Sequence, residues 1–134
     1  MSERTNTEVV QQGYEAFGRG DIPALLQFLT VDVEWTQQGP SVVPFSGTRH
    51  GHEGVAEFFS LLDENFDFEQ FEPREFVAQD DTVVVLGMER SVIKSTGRTI
   101  EQEWAHVYTL RDGKIAKARF FEDSGAYVGA LEAS

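Results

Sequence analysis

The predicted strand from Thr99 to Arg111 carries residue types suited to proton transfer. Its side chains alternate, and one face presents Gln102, Trp104, His106, Tyr108 and Leu110. A histidine in this setting is a candidate general acid or base, because the pKa of a free imidazole lies near 6.5. The same pattern is also typical of a hydrogen-bonded core histidine, so His106 has both a catalytic and a structural interpretation.

A second candidate is Glu89, a carboxylate within the apolar segment VVVLGMERSV. An ionised carboxylate on the buried face of a strand destabilises the fold strongly unless it is paired. The candidate partners are Arg90, Arg98 and His106. The alternative is a shifted strand register that leaves Glu89 exposed.

No other combination of residues in the sequence gives strong evidence for a catalytic or metal site. The chain has no cysteine, which excludes disulfides, thiolate metal sites and cysteine nucleophiles. His50 and His52 flank a glycine without a third ligand nearby, so no metal site is predicted. Asp123 precedes the last predicted helix, where an acidic residue is typical of an N-cap.

Composition and charge restrict the class of protein. The chain has 134 residues, of which 40% are hydrophobic, as expected for one globular domain spanning residues 1–134. Its net charge of −12 makes nucleic acid and anionic membranes unexpected partners. No apolar run approaches the roughly 20 residues of a transmembrane helix. The polar N-terminus resembles neither a signal nor a transit peptide, so we expect a cytoplasmic protein.

Hydrophobic periodicity predicts two helices at the start of the chain. The first covers residues 7–18 and places four apolar residues on one side: Val9, Val10, Tyr14 and Phe17. A threonine or asparagine within residues 5–7 is the expected N-cap. Asp21 caps a second, short helix that has Pro23 near its first turn.

A strand, a loop and a third helix are predicted next. Residues 31–37 alternate, with Val31, Val33 and Trp35 on the buried face. A loop rich in glycine, proline and serine runs over residues 39–51. The third helix covers residues 52–65, with an apolar stripe formed by Val55, Phe58, Phe59 and Leu62.

The second half of the chain predicts an antiparallel meander of four strands at residues 68–78, 82–94, 99–111 and 114–122. Short turns separate the strands, including an Asp112-Gly113 hairpin signal. A short final helix is predicted at residues 125–132. The fold class is therefore α+β, with helices on one face of the sheet.

Several strings in this order resemble the nuclear-transport-factor-2-like (NTF2-like) superfamily, and within it the SnoaL-like, polyketide cyclase-like group related to ketosteroid isomerases. The strings are Gly20-Asp21, Val33-Glu34-Trp35, Gly47-Thr48, Gly54-Val55-x-x-Phe58-Phe59, Trp104-x-His106-Val107-Tyr108, Asp112-Gly113-Lys114-Ile115 and Arg119-Phe120-Phe121-Glu122-Asp123. The resemblance covers nearly the whole chain. It implies a cone in which a curled antiparallel sheet wraps three N-terminal helices around a deep hydrophobic pocket.

The same resemblance allows known catalytic sites to be compared by position. Ketosteroid isomerases use an aspartate base, with a tyrosine and a protonated aspartic acid as the oxyanion hole. In this chain the base falls on Gln37, the tyrosine on Gly13 beside Tyr14, and the aspartic acid on His106 if the last hairpin turn is one residue shorter. The last-strand aspartate of limonene-epoxide-hydrolase-like relatives falls on Phe120. We therefore expect neither steroid isomerisation nor epoxide hydrolysis.

The resemblance to SnoaL-like cyclases further implies which side chains face the pocket. The implied catalytic residues are His106, Glu89 and Tyr14. The implied ligand-binding residues are Trp35, Gln37, Phe58, Phe59, Trp104, Phe120 and Glu122.

Two classes of function fit this pattern. The first is an isomerase, cyclase or hydro-lyase acting on a small hydrophobic carbonyl compound, with His106 as the proton shuttle and Glu89, Tyr14 or Gln37 orienting it. No cofactor is expected, because proton transfer next to a carbonyl needs only a base and a stabilised oxyanion. The alternative is a non-catalytic domain that binds a small apolar ligand in the same pocket, which the missing aspartates favour.

The resemblance also implies a homodimer formed through the outer face of the sheet. Residues 83–86 are apolar on both faces of their strand, which supports a covered outer face. Sedimentation velocity should show a species of twice the monomer mass, whereas a monomer at every concentration would contradict this expectation.

Overall fold

A six-stranded sheet and the helices on its inner face form the part of the chain that the computed structural model describes, residues 2–41, 43–123 and 129. The elements are α1 (Glu3–Gly18), α2 (Ile22–Leu26), β1 (Leu29–Gln37), β2 (Gly47–His50), α3 (Gly51–Asn65), β3 (Phe66–Gln79), β4 (Thr82–Ile93), β5 (Thr99–Arg111) and β6 (Lys114–Glu122). The helix predicted at residues 125–132 lies outside the described residues apart from Gly129, so its Asp123 cap is also untested.

The strand order is β2-β1-β6-β5-β4-β3, and the sheet is curled and open. Strands β3 to β6 form the predicted antiparallel meander, whereas β1 joins β6 in parallel. Asp112 and Gly113 have φ values of 53° and 79°, as the predicted hairpin turn requires. Helix α1 packs on β3 and β4, and α3 packs on β1. The α+β prediction, with helices on one face of the sheet, is confirmed.

The first helix begins earlier than predicted. Its N-cap is Ser2, whose hydroxyl accepts a hydrogen bond from the amide of Thr5, so the cap predicted at residues 5–7 is wrong. Thr7 instead bonds the carbonyl of Glu3 inside the helix, because the side chain of a helical threonine reaches back one turn. The Asp21 cap of α2 is confirmed by a 3.1 Å bond from the amide of Ala24.

Two predictions around β1 are wrong. Val31 is 84% exposed rather than buried, because the pairing of β1 with β6 is interrupted between Leu29 and Glu34 and the chain bulges outward there. The segment predicted as a loop over residues 39–51 contains β2, which pairs antiparallel with the end of β1. The ladder partner of β2 lies ten or more residues away, so local composition could not indicate this strand.

The outer face of the sheet carries apolar side chains. Val77, Leu86 and Phe121 are exposed there, on three different strands. This surface is compatible with the expected homodimer, which stays a prediction. No helix among the described residues is long and apolar enough to cross a membrane.

The inner face is built around large aromatic side chains, and Gly87 makes room for one of them. Trp104 of β5 lies beside Gly87 of β4 and is 4% exposed. A Cβ atom at Gly87 would overlap both the indole ring of Trp104 and the backbone carbonyl oxygen of Glu72. Glycine at this position therefore allows β3, β4 and the Trp104 ring to pack together.

Replacing Gly87 with alanine should destabilise the protein by about 1–3 kcal/mol, because a backbone carbonyl cannot move aside as a flexible side chain can. Gly18→Ala is the matched control. It adds the same methyl group at an exposed helix end with no atom within 4 Å, and should change stability by less than about 0.5 kcal/mol. Urea unfolding measures both values, and equal effects would contradict the packing role of Gly87.

Candidate functional site

An apolar cavity lies between the inner face of the sheet and the helices. The volume of this cavity is about 80 Å³, which is enough for several water molecules or for part of a small organic ligand. Most of the lining residues are aliphatic or aromatic. The polar lining residues are Tyr14, Gln37, Glu89, His106, Tyr108 and Glu122.

Strand register places these polar residues in rows across β4, β5 and β6. Glu89 of β4 lies opposite Gln102 of β5, and Glu122 of β6 lies opposite Trp104. His106 follows two residues further along β5. Residues two apart on a strand share a face and are about 7 Å apart, so the cavity holds two polar clusters at different depths.

The first cluster is a pair of buried carboxyl groups. The amide nitrogen of Gln37 donates to Oε1 of Glu122 at 2.7 Å. The amide nitrogen of Gln102 donates to Oε1 of Glu89 at 2.6 Å and to Oε2 of Glu122 at 3.1 Å. The shared amide donor of Gln102 holds the two carboxyl groups next to each other, and like charges this close favour one shared proton.

The environment of Glu122 favours its protonated form. Burial raises the pKa of Glu122 well above its ordinary value, and the charge and hydrogen bond of Glu89 raise it further. The hydrogen bond from Gln37 acts in the opposite direction, because it stabilises the carboxylate. Glu122 thus has the character of a carboxylic acid next to a second carboxyl group, inside an apolar cavity.

The second cluster joins two tyrosines and a histidine. The hydroxyl of Tyr108 donates to the hydroxyl oxygen of Tyr14 at 2.8 Å, and the Tyr14 hydroxyl lies 2.7 Å from Nδ1 of His106. Tyr14 therefore has its own proton to donate to Nδ1, which leaves the proton of a neutral imidazole on Nε2. Burial raises the pKa of both tyrosines, so both stay protonated donors at neutral pH.

The imidazole of His106 is neutral. Burial lowers its pKa to about 3, because no carboxylate within the described residues contacts the ring to stabilise an imidazolium. Trp104 stacks on it with ring centroids 3.9 Å apart. The ring therefore lacks the near-neutral pKa of a free imidazole, on which the predicted role of His106 as a proton shuttle depended.

The structure brings the candidate site residues together. All of them line the cavity except Trp104, which lies behind its wall and stacks on His106 and Tyr14. Sequence reasoning did not assign a site role to Gln102 or Tyr108. Both lie on the same strand face as His106, which the alternation of residues 99–111 predicted. The sequence thus indicated the face of these two residues but not the side chains that they contact.

Arg90, one of the predicted partners of Glu89, is not its partner in the structure. Arg90 pairs instead with Glu69 at 2.9 Å and with Glu101 at 3.3 Å. Adjacent residues of a strand point to opposite faces, so Arg90 cannot reach a carboxyl that faces the cavity. Glu89 is buried as the first interpretation required, with Gln102 and Glu122 as its partners.

The two loop histidines are not brought together in a metal site. His50 lies 3.8 Å from Glu34, and Nε2 of His52 lies 3.2 Å from the carbonyl oxygen of Leu29. Across the described ranges, no three His, Asp or Glu side chains are arranged to hold a metal ion.

Comparison with known proteins identifies the family. The model of the SnoaL-like domain matches residues 10–118, and the chain belongs to this family within the NTF2-like proteins. An NTF2-like protein from Burkholderia xenovorans is 35% identical, with a TM-score of 0.88 over 97% of this chain and 98% of that chain. An NTF2-like protein of unknown function from Burkholderia pseudomallei is 30% identical, with a TM-score of 0.88 over 98% of each chain.

A third similar structure is that of TerC, co-crystallized with polyporic acid. TerC is 30% identical to this chain, with a TM-score of 0.86 over 96% of this chain and 98% of TerC. No curated protein matches the sequence. The fold and the family are thus shown, whereas the reaction has to be inferred from the cavity.

The low pKa of His106 predicts a pH dependence of stability. In the unfolded chain His106 binds a proton below pH 6.5, its ordinary pKa, whereas in the folded chain it binds a proton only below about pH 3. Stability should therefore fall as the pH decreases between these values, by up to about 1.4 kcal/mol per pH unit from this group. His106→Gln removes the effect, so urea unfolding at a series of pH values should show a shallower slope for the variant. Parallel curves would contradict burial of a neutral imidazole.

Proposed function

We propose that this protein catalyses cofactor-independent proton transfer at a carbon next to the carbonyl group of a small hydrophobic compound. Isomerisation, ring closure and water elimination of such compounds all begin with this step. The observation that carries the proposal is the Glu89–Glu122 pair, which Gln102 bridges inside an apolar cavity.

The carboxyl pair has the properties of a general acid and base. A catalytic carboxyl works best when its pKa lies closer to the operating pH than that of a free glutamate. Burial and the neighbouring Glu89 shift the pKa of Glu122 in this direction. Proton transfer is therefore assigned to the carboxyl pair rather than to His106, whose pKa of about 3 leaves it unable to hold a proton at neutral pH.

The tyrosine–histidine cluster supplies one donor for the developing oxyanion, the N–H group at Nε2 of His106, because the hydrogen bond from Tyr14 to Nδ1 holds the imidazole proton there. Tyr14 is oriented by Tyr108, and Nε2 of His106 has no hydrogen-bond partner among the described residues. His106 lies two strand positions from Trp104, the residue opposite Glu122. A catalytic base and an oxyanion donor each lie about 3 Å from the substrate atom on which they act. Strand positions two residues apart are separated by about 7 Å, so the carboxyl pair and His106 can act on neighbouring atoms of one carbonyl compound.

The cavity walls support a hydrophobic substrate. The rings of Trp35, Phe58 and Phe120 contact one another, with Trp35 and Phe120 centroids 4.7 Å apart, and Phe59 packs against both Trp35 and Phe58. Exclusion of water by such walls strengthens the electrostatic effect of each polar group. The presence of polyporic acid in the TerC structure supports a small organic ligand for this chain as well.

Hydrogen exchange next to the carbonyl tests the proposal. Wild-type protein should accelerate deuterium incorporation into small aryl ketones in D2O, measured by proton NMR. Glu122→Gln should lower the rate at least about 100-fold, because it removes the proton carrier without changing the shape. His106→Ala should lower it by about 100-fold through loss of the oxyanion donor at Nε2. Glu103→Gln, on the exposed face of the same strand β5, is the control and should leave the rate unchanged.

The same panel identifies the alternative function. A ketone or polyporic acid that raises the Tm while no panel compound undergoes exchange would indicate a non-catalytic ligand-binding domain. Gln37, a non-basic residue at the position of the base in ketosteroid isomerases, is the feature that favours this alternative. Ligand at about 100 times its Kd should stabilise the fold by roughly 2.7 kcal/mol, which a thermal-shift measurement detects.

A further inference from the structure

From the paired carboxyls we infer that the reaction is the elimination of water from a hydrophobic β-hydroxy carbonyl compound, with Glu89 and Glu122 acting on the same face of the substrate. The inference rests on the proposed function and narrows it from proton transfer in general to a hydro-lyase reaction.

The pair contains both groups that an elimination needs at once. An isomerase can move a proton with one carboxyl that accepts it and returns it. Water elimination needs a base for the hydrogen next to the carbonyl and an acid for the leaving hydroxyl. Glu89 and Glu122 both line the cavity and share the amide donor of Gln102, so one carboxyl can accept a proton while the other donates one.

The step balances without any further reactant. The carboxylate of Glu89 takes the proton from the α-carbon, and the electrons of that C–H bond form the double bond between the α- and β-carbons. The bond from the β-carbon to the hydroxyl breaks, and the leaving oxygen takes the proton of Glu122 and departs as water. The pair begins and ends with one proton, which returns from Glu89 to the neighbouring Glu122.

Gln102 is a positioning residue in this reaction. Its amide nitrogen contacts Glu89 and Glu122 together, at 2.6 Å and 3.1 Å. Gln102 belongs to β5, which lies between the two strands that carry the glutamates. Both carboxyls therefore approach a bound substrate from the same side, and the geometry requires that hydrogen and hydroxyl leave in the syn sense.

The testing substrate is the aldol adduct of acetone and benzaldehyde, with deuterium placed stereospecifically on the carbon between the carbonyl and the carbinol. Wild-type protein should form benzalacetone, followed by its ultraviolet absorbance. Mass spectrometry should show loss of deuterium when it is syn to the hydroxyl and retention when it is anti.

Variants then separate the roles. Glu89→Gln and Glu122→Gln should each lower the elimination rate at least about 100-fold. Gln102→Met should lower the ratio of syn to anti product, a change that a purely structural role would not cause. Glu103→Gln should match the wild type in rate and stereochemistry. Thermal unfolding of each variant checks its fold, and Glu122→Asp, which keeps the acid but shortens its reach, should retain the syn preference at a reduced rate.

The outcomes distinguish this inference from the proposed function. Deuterium exchange of the adduct without water loss would overturn the hydro-lyase inference and leave the proposed function intact. Elimination that is anti or without stereochemical preference would also overturn it, because the carboxyls would not act from one side. Absence of both exchange and elimination would overturn the two proposals together.

Discussion

Two carboxyl groups inside an apolar cavity need hydrogen-bond donors and a shared proton. The order of the strands in the sheet places such donors beside both carboxyls. Gln37 reaches Glu122 because β1 pairs in parallel with β6, although the two strands are far apart in the sequence. Gln102 reaches both carboxyls because β5 separates β4 from β6. Removing either amide would leave buried acceptors unpaired, which costs more than the bond itself contributes.

The second polar cluster depends on how aromatic rings stack over β5. Phe71, Trp104 and His106 lie in near-parallel succession, and Tyr14 of α1 stacks on the last two. Gly87 makes this stack possible by leaving space for the indole. The tight packing that holds the His106 ring also removes its solvation, so the feature that positions the imidazole keeps it uncharged.

The cavity shows how one fold holds different chemistry at related positions. The sequence resemblance aligns Gln37 with the aspartate base of ketosteroid isomerases, and in this structure Gln37 donates a hydrogen bond to Glu122 on the last strand. The acidic groups thus lie on β4 and β6, across the cavity from the tyrosine of α1. Membership of the SnoaL-like family gives the shape of the cavity, whereas the reaction follows from these particular side chains.

The sequence by itself determined the meander, the Asp112-Gly113 turn and the two alternating faces of β5, because two-residue alternation and turn conformation depend only on local geometry. The family resemblance added the inward face of β5, the cavity and most of its polar lining residues. Tertiary structure alone decided that Val31 bulges outward, that Glu89 lies beside Glu122 while Arg90 pairs on the opposite face, and that His106 stays neutral. Each of these depends on strand register and burial between residues far apart in the chain, which no local pattern encodes.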